Sequence, residues 1–465
     1  MVCLDAKTPR NYIPNTEFQY RYSFCIDSFS LWHYSRVSPA LPFSSQGVPG
    51  CPASAPIVSR RKEDRLLAPN PPLGVLLHWL GGLASASFYV PYRRVKSWSW
   101  ETYWLVGGFF SWIIAPWFLA FVMTRNVAQV LHEIPASSLF WTYTFGVLWG
   151  LGGLTFGLTM RYLGMSLGMA VALGYTAVFG TLVPPVFRGE FRSEVLGTSS
   201  GRIILVGVVV CLLGIIFAGM AGMSKEKEMS AEQKRASIKE FDLKRGLLVA
   251  TFSGVMSACF AYGLAAGDPI KALTVRHGTS PIWQGLPALI VVLLGGFTTN
   301  FIWCVILNVR NHTGYQYFSS RIRNGGPNRT DEPILETVTD APGEEMAAAA
   351  PISASKTALT TAPMLPNYLL SALAGTTWYF QFFFYTMGET QMGRFKFSSW
   401  TLHMASIIIF STLWGIALKE WKGAGARTKL LVALSLLVLV GSTMIVGYGN
   451  YIGTASKSTQ AASSY

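Results

Sequence analysis

Trp378, Gln381 and Tyr385 recur at i, i+3 and i+7 in a stretch otherwise dominated by Phe, Leu, Ala and Thr. On a helix these three share one face. An amide inside an apolar helix is costly unless it bonds to a ligand or to another helix. The indole and phenol beside Gln381, together with Tyr379, would offer flat faces for the apolar side of a small ring. Trp112 and Asn300 sit in two further apolar stretches and suit the same work. A second set can change charge: His78, His403 and Glu389, with Glu101, Arg161 and Glu420 bordering the apolar runs. An imidazole titrates near neutrality and can carry a proton. Each residue also has a plainer reading. Aromatic side chains mark membrane interfaces, histidines pack as hydrogen-bonded core groups, and Glu389 fits a solvated charge at a helix end. Arg161 can satisfy helix-end carbonyls, and Lys419-Glu420 can anchor a helix at the interface.

The elements that must position these groups are ten hydrophobic blocks, approximately 73–92, 103–123, 137–160, 165–187, 202–222, 246–266, 283–309, 367–388, 398–418 and 429–448. About 20 apolar residues cross a hydrocarbon core roughly 30 Å thick, and each block is near or above that length. The fold class is all-α, a polytopic membrane protein of ten transmembrane helices. Of all residues 51% are hydrophobic and 13% charged, against about 25% charged in soluble domains. The net charge of +14 is explained by cationic loops beside anionic headgroups. Nucleic-acid binding is not expected, because no basic-aromatic module accompanies the charge.

Polar stretches divide the chain. Residues 1–72 form an N-terminal tail without periodicity, ending in the charged run Arg60 to Arg65. Residues 73–222 make the first five-helix half. A polar connecting segment, 223–245, precedes a second half at 246–450, which contains a polar insertion at 310–366; a tail follows from 451 to 465. Five helices per half means that the second half enters from the opposite face. That count predicts an inverted repeat, with both termini on one side and a site near the midplane. Gly146, Gly150, Gly153, Gly157, Gly164 and Gly168 give small-residue pairs that let helix backbones approach closely in lipid.

Several strings, in order, carry a resemblance. His78-Trp79-Leu80 leads into Ala84-Ser85-Ala86-Ser87-Phe88-Tyr89, then Arg93-Arg94-Val95-Lys96-Ser97-Trp98-Ser99-Trp100-Glu101-Thr102. Gly157-Leu158-Thr159-Met160-Arg161-Tyr162-Leu163-Gly164-Met165-Ser166 is the longest. Trp378-Tyr379, Gln381-Phe382-Phe383-Phe384-Tyr385, Leu402-His403-Met404 and Lys419-Glu420-Trp421 follow. Over roughly 73–450 the chain resembles the L-rhamnose–proton symporters of the drug/metabolite transporter superfamily. The resemblance implies a ten-helix inner-membrane carrier that takes up a 6-deoxy sugar with a proton. It departs from the family in the N-terminal tail, in the 310–366 insertion and around Glu389 to Lys396.

Other classes find less support. Six cysteines include no CxxC, and no HExxH or GxxxxGKS occurs, so metal catalysis and ATP-driven pumping lack their motifs. No cofactor is expected. An exporter or nucleotide-sugar exchanger of the same superfamily, and a sugar sensor without transport, remain the rival readings, since fold alone sets neither substrate nor direction.

Overall fold

A computed structural model describes residues 69–228, 242–322 and 361–463, so the tail to residue 68 and most of the 310–366 insertion lie outside it. Among the described residues each of the ten blocks is a helix: α1 (Pro71–Ser87), α2 (Trp100–Met123), α3 (Ala136–Leu163), α4 (Met165–Phe187), α5 (Ser199–Glu228), α6 (Leu243–Ala266), α7 (Leu286–Arg310), α8 (Met364–Gln391), α9 (Ser398–Ala417) and α10 (Ala426–Ser463). Helix α5 runs on into the polar connecting segment as far as Glu228, and α10 runs through the segment read as the C-terminal tail to Ser463. Eight of the long helical stretches are long and apolar enough to cross a membrane. The two that fall short, α3 and α8, are rich in Gly, Thr, Trp and Tyr. Phe118, Phe140, Val206, Ile216, Leu437 and Met444 point outward and are exposed. An apolar belt of that extent suits lipid and not water.

Local sequence sets the helix limits. Asn70 caps α1 by accepting from the Leu73 N–H at 3.2 Å, and Pro71 and Pro72 start the helix where a missing N–H costs nothing. Within α2, Pro116 has no N–H to give to the preceding turn, and the chain takes π geometry over Phe109–Ile114. Gly164, with φ of 77°, breaks the chain between α3 and α4. Asp242 caps α6 through the Arg245 N–H.

Contacts sort the helix ends into two faces. On the first, here face A, the start of α1 meets the end of α8 through Asn70 N–H and Gln391 Oε1 at 3.1 Å. There the residues following α4 and α6 meet through Arg188 and Asp268, and Asn450 of α10 reaches Ser398 of α9. On face B, Arg93 beyond α1 meets Glu420 beyond α9, Thr428 of α10 meets Glu228 of α5, and Asp242 N–H reaches Tyr162 O. The helices therefore alternate in direction, and both ends of the described bundle lie on face A.

Packing follows a regular scheme. α1 lies against α8 and α9, while α6 lies against α3 and α4; α2 and α7 touch each other, and α5 pairs with α10. The α3–α7 contact is a backbone approach, in which a Cβ at Gly146 would overlap the Val292 carbonyl. The ends of the insertion belong to this core. Thr313 and Gln316 are buried, the turn Gly314–Tyr317 packs on α2, and Arg321 bridges to Thr361.

Candidate functional site

Three helices, α1, α8 and α9, bring the titrating residues together. Ser406 of α9 donates to the carbonyls of His78 at 2.9 Å and His403 at 2.8 Å. A side chain at Gly82 would collide with Ser406, so glycine there sets the α1–α9 distance. On α8, Gly388 leaves room for the His78 ring, whose Nε2 would lie 2.9 Å from an added Cβ. The Tyr385 ring then stands between the imidazoles, with centroids 5.2 Å from His78 and 5.2 Å from His403, while the two imidazoles are 6.4 Å apart.

The polar atoms here are buried and mostly unpaired. His403 Nε2 lies 3.4 Å from Gln381 Oε1, a contact it makes as the donor when Nε2 carries the proton, because an amide oxygen only accepts. His403 Nδ1, Gln381 Nε2 and both ring nitrogens of His78 have no protein partner. Such groups are rare in a core unless a ligand or water completes them. Gln381 and His403 line a chamber with Trp149, Ser257, Phe382, Trp400, Met404 and Ile407. Trp400 is fixed as a wall by donating its indole N–H to Thr176 O at 2.9 Å. The space clear between these side chains is about enough for a single water, far below an ordinary ligand pocket. Binding a hexose here requires α8 and its neighbours to part.

A second, tightly filled aromatic chamber lies beside the first and is lined by Phe88, Tyr92, Trp104, Ser111, Trp112 and Trp378 with three glycines. α8 serves both chambers. Trp378 faces this one, stacking edge-on to Phe88 at 4.5 Å, while Gln381, one turn on, faces the other. Trp112 comes from the π segment of α2. Asn300 does not open onto either space: its Oδ1 accepts from Trp104 Nε1 at 3.3 Å and its Nδ2 donates to Gly296 O at 3.0 Å. It holds Trp104 in place. Tyr379 is fully buried among Phe380 and Phe383 and lines neither chamber.

Glu389 lies apart from the imidazoles, in an ion-paired group at face A. Lys271 Nζ donates to Glu389 Oε2 at 2.8 Å and contacts Asp268 Oδ1 at 3.1 Å, and Arg188 reaches Asp268 Oδ2 at 3.0 Å. Sequence reasoning missed Lys271 and Asp268, whose signal was an acid–Pro start to a short helix, Asp268–Arg276, with a lysine three residues on. It also missed Trp149 and Ser257, which look like packing residues until α3 and α6 are seen to face α8. The side chain of Arg161 lies outside the described residues. Among the described residues no group of His, Cys, Asp and Glu could hold a metal.

A bundle of alternating apolar helices, with unpaired polar groups in a central chamber and closed contacts at both faces, has the build of a polytopic membrane carrier. The family follows from comparison: the chain belongs to the L-rhamnose-proton symport protein (RhaT) family, whose model matches residues 70–319 and 346–452. It is 34% identical to the L-rhamnose-proton symporter of Cronobacter sakazakii over 378 residues, 81% of this chain and 97% of that protein. Symporters of Escherichia coli and Salmonella gallinarum match at the same identity and coverage. These relatives are transporters, not enzymes. The two matched stretches leave out residues 320–345.

Proposed function

We propose that this protein takes up L-rhamnose, or a closely related 6-deoxyhexose, together with a proton across the inner membrane. The observation that carries the reading is the chamber between α8 and α9, where an amide and an imidazole with unpaired nitrogens meet indole walls. Sugar hydroxyls would satisfy the nitrogens, and a ligand lacking them would leave buried groups unpaired, which is how such sites discriminate. Gln381 binds the sugar, with Tyr385 close by; Trp378 and Trp112 meet it from the aromatic chamber, which Asn300 shapes through Trp104 and Tyr379 backs. His403 and His78 take part in proton coupling at the face A side of the chamber. Glu389 supports them at a distance, as the partner of Lys271.

All ten helices cross the membrane in this reading, as two five-helix halves related by an inverted repeat. The packing supports it: exchanging each helix with its counterpart five places on converts the α1–α8 contact into α6–α3, α1–α9 into α6–α4, and α2–α8 into α7–α3. The α5–α10 and α2–α7 pairs map onto themselves. Sites at the junction of such halves are reached by alternate opening of the two faces.

The test is uptake of labelled L-rhamnose into proteoliposomes under an imposed pH gradient, inside alkaline. Accumulation that a protonophore abolishes is expected. Uptake that ignores the gradient would replace proton coupling with sodium coupling or facilitated diffusion.

A further inference from the structure

Glu101, in the first turn of α2, is fully buried. Its Oε1 accepts from Thr313 Oγ1 at 2.5 Å and Asn311 Nδ2 at 3.2 Å, and its Oε2 has no partner. Among the described residues no Lys, Arg or His forms an ion pair with it. Cys304 of α7 and Tyr317 of the following turn lie near it and are not cationic, and Arg310 and His312 on either side of Asn311 are exposed. Tyr317 donates its hydroxyl to the Glu101 carbonyl at 3.3 Å. A permanent carboxylate would bury a charge without a counter-ion, which is costly. As an acid, its Oε1 can donate to Thr313 Oγ1, whose own hydrogen then goes to Asn308 Oδ1 at 3.1 Å. Two donors on one oxygen, the α2 N-terminus nearby and a free second oxygen suit a group that gains and loses a proton.

Its place in the bundle gives that exchange a consequence. Thr313 and Asn311 belong to the α7–α8 connection, and Glu101 follows directly on the α1–α2 connection, so the carboxyl fastens one half to the other at face B. The neighbouring contacts do the same: Ser99 N–H and Thr102 Oγ1 both donate to Gln316 Oε1, at 2.7 and 2.9 Å. Trp104, one turn along α2, stacks on Trp100 at 5.3 Å and lines the aromatic chamber. A change at Glu101 therefore bears at once on the face B closure and on a chamber wall.

We infer that Glu101 is the protonation site through which the coupled proton exchanges with face B, making its carboxyl both proton carrier and fastener of that face. The inference rests on the proton-coupled reading above, with the histidines serving the opposite end of the route. The bland alternative is a hydrogen-bonded anchor that never titrates.

The test uses full-length protein in proteoliposomes loaded with a pH-sensitive dye. Wild-type protein should couple L-rhamnose entry to proton entry; if it moves sugar without protons, proton symport itself fails, before Glu101 is at issue. Glu101→Gln should keep exchange of labelled rhamnose within about threefold of wild type while losing rhamnose-driven proton entry and accumulation at least tenfold. Glu101→Gln that still drives protons and concentrates sugar would overturn the assignment. Should Glu101→Gln fail to insert, Thr313→Val decides instead. It leaves the carboxyl in place with one donor fewer, so the pH of half-maximal transport should rise, since a carboxylate short of donors holds its proton more tightly. An unmoved pH profile would make Glu101 an anchor.

Discussion

The two faces of the bundle are closed by different chemistry. At face A the helix ends are held by charge: Lys271 lies between Asp268 and Glu389, Arg188 joins Asp268, Arg394 reaches Glu194 at 3.4 Å, and Glu133 meets His277 at 2.9 Å. At face B Glu101 sits among neutral donors without an ion pair of its own, and Asn367 clamps Lys96 by accepting from its N–H and donating to its carbonyl. The Arg93–Glu420 pair there is looser, at 3.6 Å, and burial raises the Glu420 carboxyl above its ordinary range while Arg93 opposes the rise. The connections that meet are counterparts under exchange of the halves. Arg125 N–H donates to Thr279 Oγ1 across face A at 2.9 Å, much as Ser99 N–H donates to Gln316 across face B. One architecture thus carries two fasteners that respond to different agents: ionic contacts to salt and charge removal, the Glu101 carboxyl to protons.

Breaking the face A cluster should have the largest effect. The Lys271 side chain is 4% exposed and that of Glu389 13%, so Lys271→Met strands the Glu389 carboxylate in low dielectric and leaves Asp268 with Arg188 alone. Removing one member of a buried pair costs about 3–5 kcal/mol. Thermal unfolding in detergent should show that loss, and Lys271→Met/Glu389→Gln should recover part of it. A single substitution as stable as wild type would mean that water already reaches the cluster.

Coupling comes next. His403→Gln keeps a donor and an acceptor near Gln381 but cannot titrate. Rhamnose exchange should persist while proton-driven accumulation is lost, read in the same vesicles with and without a pH gradient. A variant that concentrates sugar as wild type does would leave His403 a structural residue. Smallest is the rim of face A. The hydrogen bond from His277 holds the exposed Glu133 carboxyl below its ordinary range. A carboxylate depressed in the folded state lends stability above its unfolded value and loses it as pH falls through the folded one. Acid unfolding of Glu133→Gln should therefore be slightly less steep below the ordinary carboxylate range, and an unchanged curve would mean that solvent screens the pair.

How much was legible in the sequence follows from what each signal measures. Each hydrophobic run coincides with a long helix among the described residues, eight of them apolar enough to cross a membrane, because lipid and core demand the same residues over the same length. Helical spacing put Trp378, Gln381 and Tyr385 on the buried side of α8. Spacing could not foresee that α8 lies between α1 and α2, which sends Trp378 to one chamber and Gln381 to the other. Asn300 drew notice as an intramembrane amide, yet its partner is Trp104, 196 residues away in the chain. Lys271 and Glu389 are 118 residues apart, and only tertiary structure joins them. The depth of the Gly314–Tyr317 turn was hidden for the same reason: a polar stretch can be buried when it satisfies its partners.

The central claim, that the sugar sits against α8 and α9, is tested most directly by equilibrium binding of L-rhamnose to purified Gln381→Ala. A net hydrogen bond contributes about 0.5–1.5 kcal/mol, and more when its loss strands a buried partner such as His403. Affinity should fall about tenfold or more, with the amount of protein in the membrane unchanged. Wild-type affinity in a correctly folded Gln381→Ala protein would contradict the account and move the sugar site elsewhere.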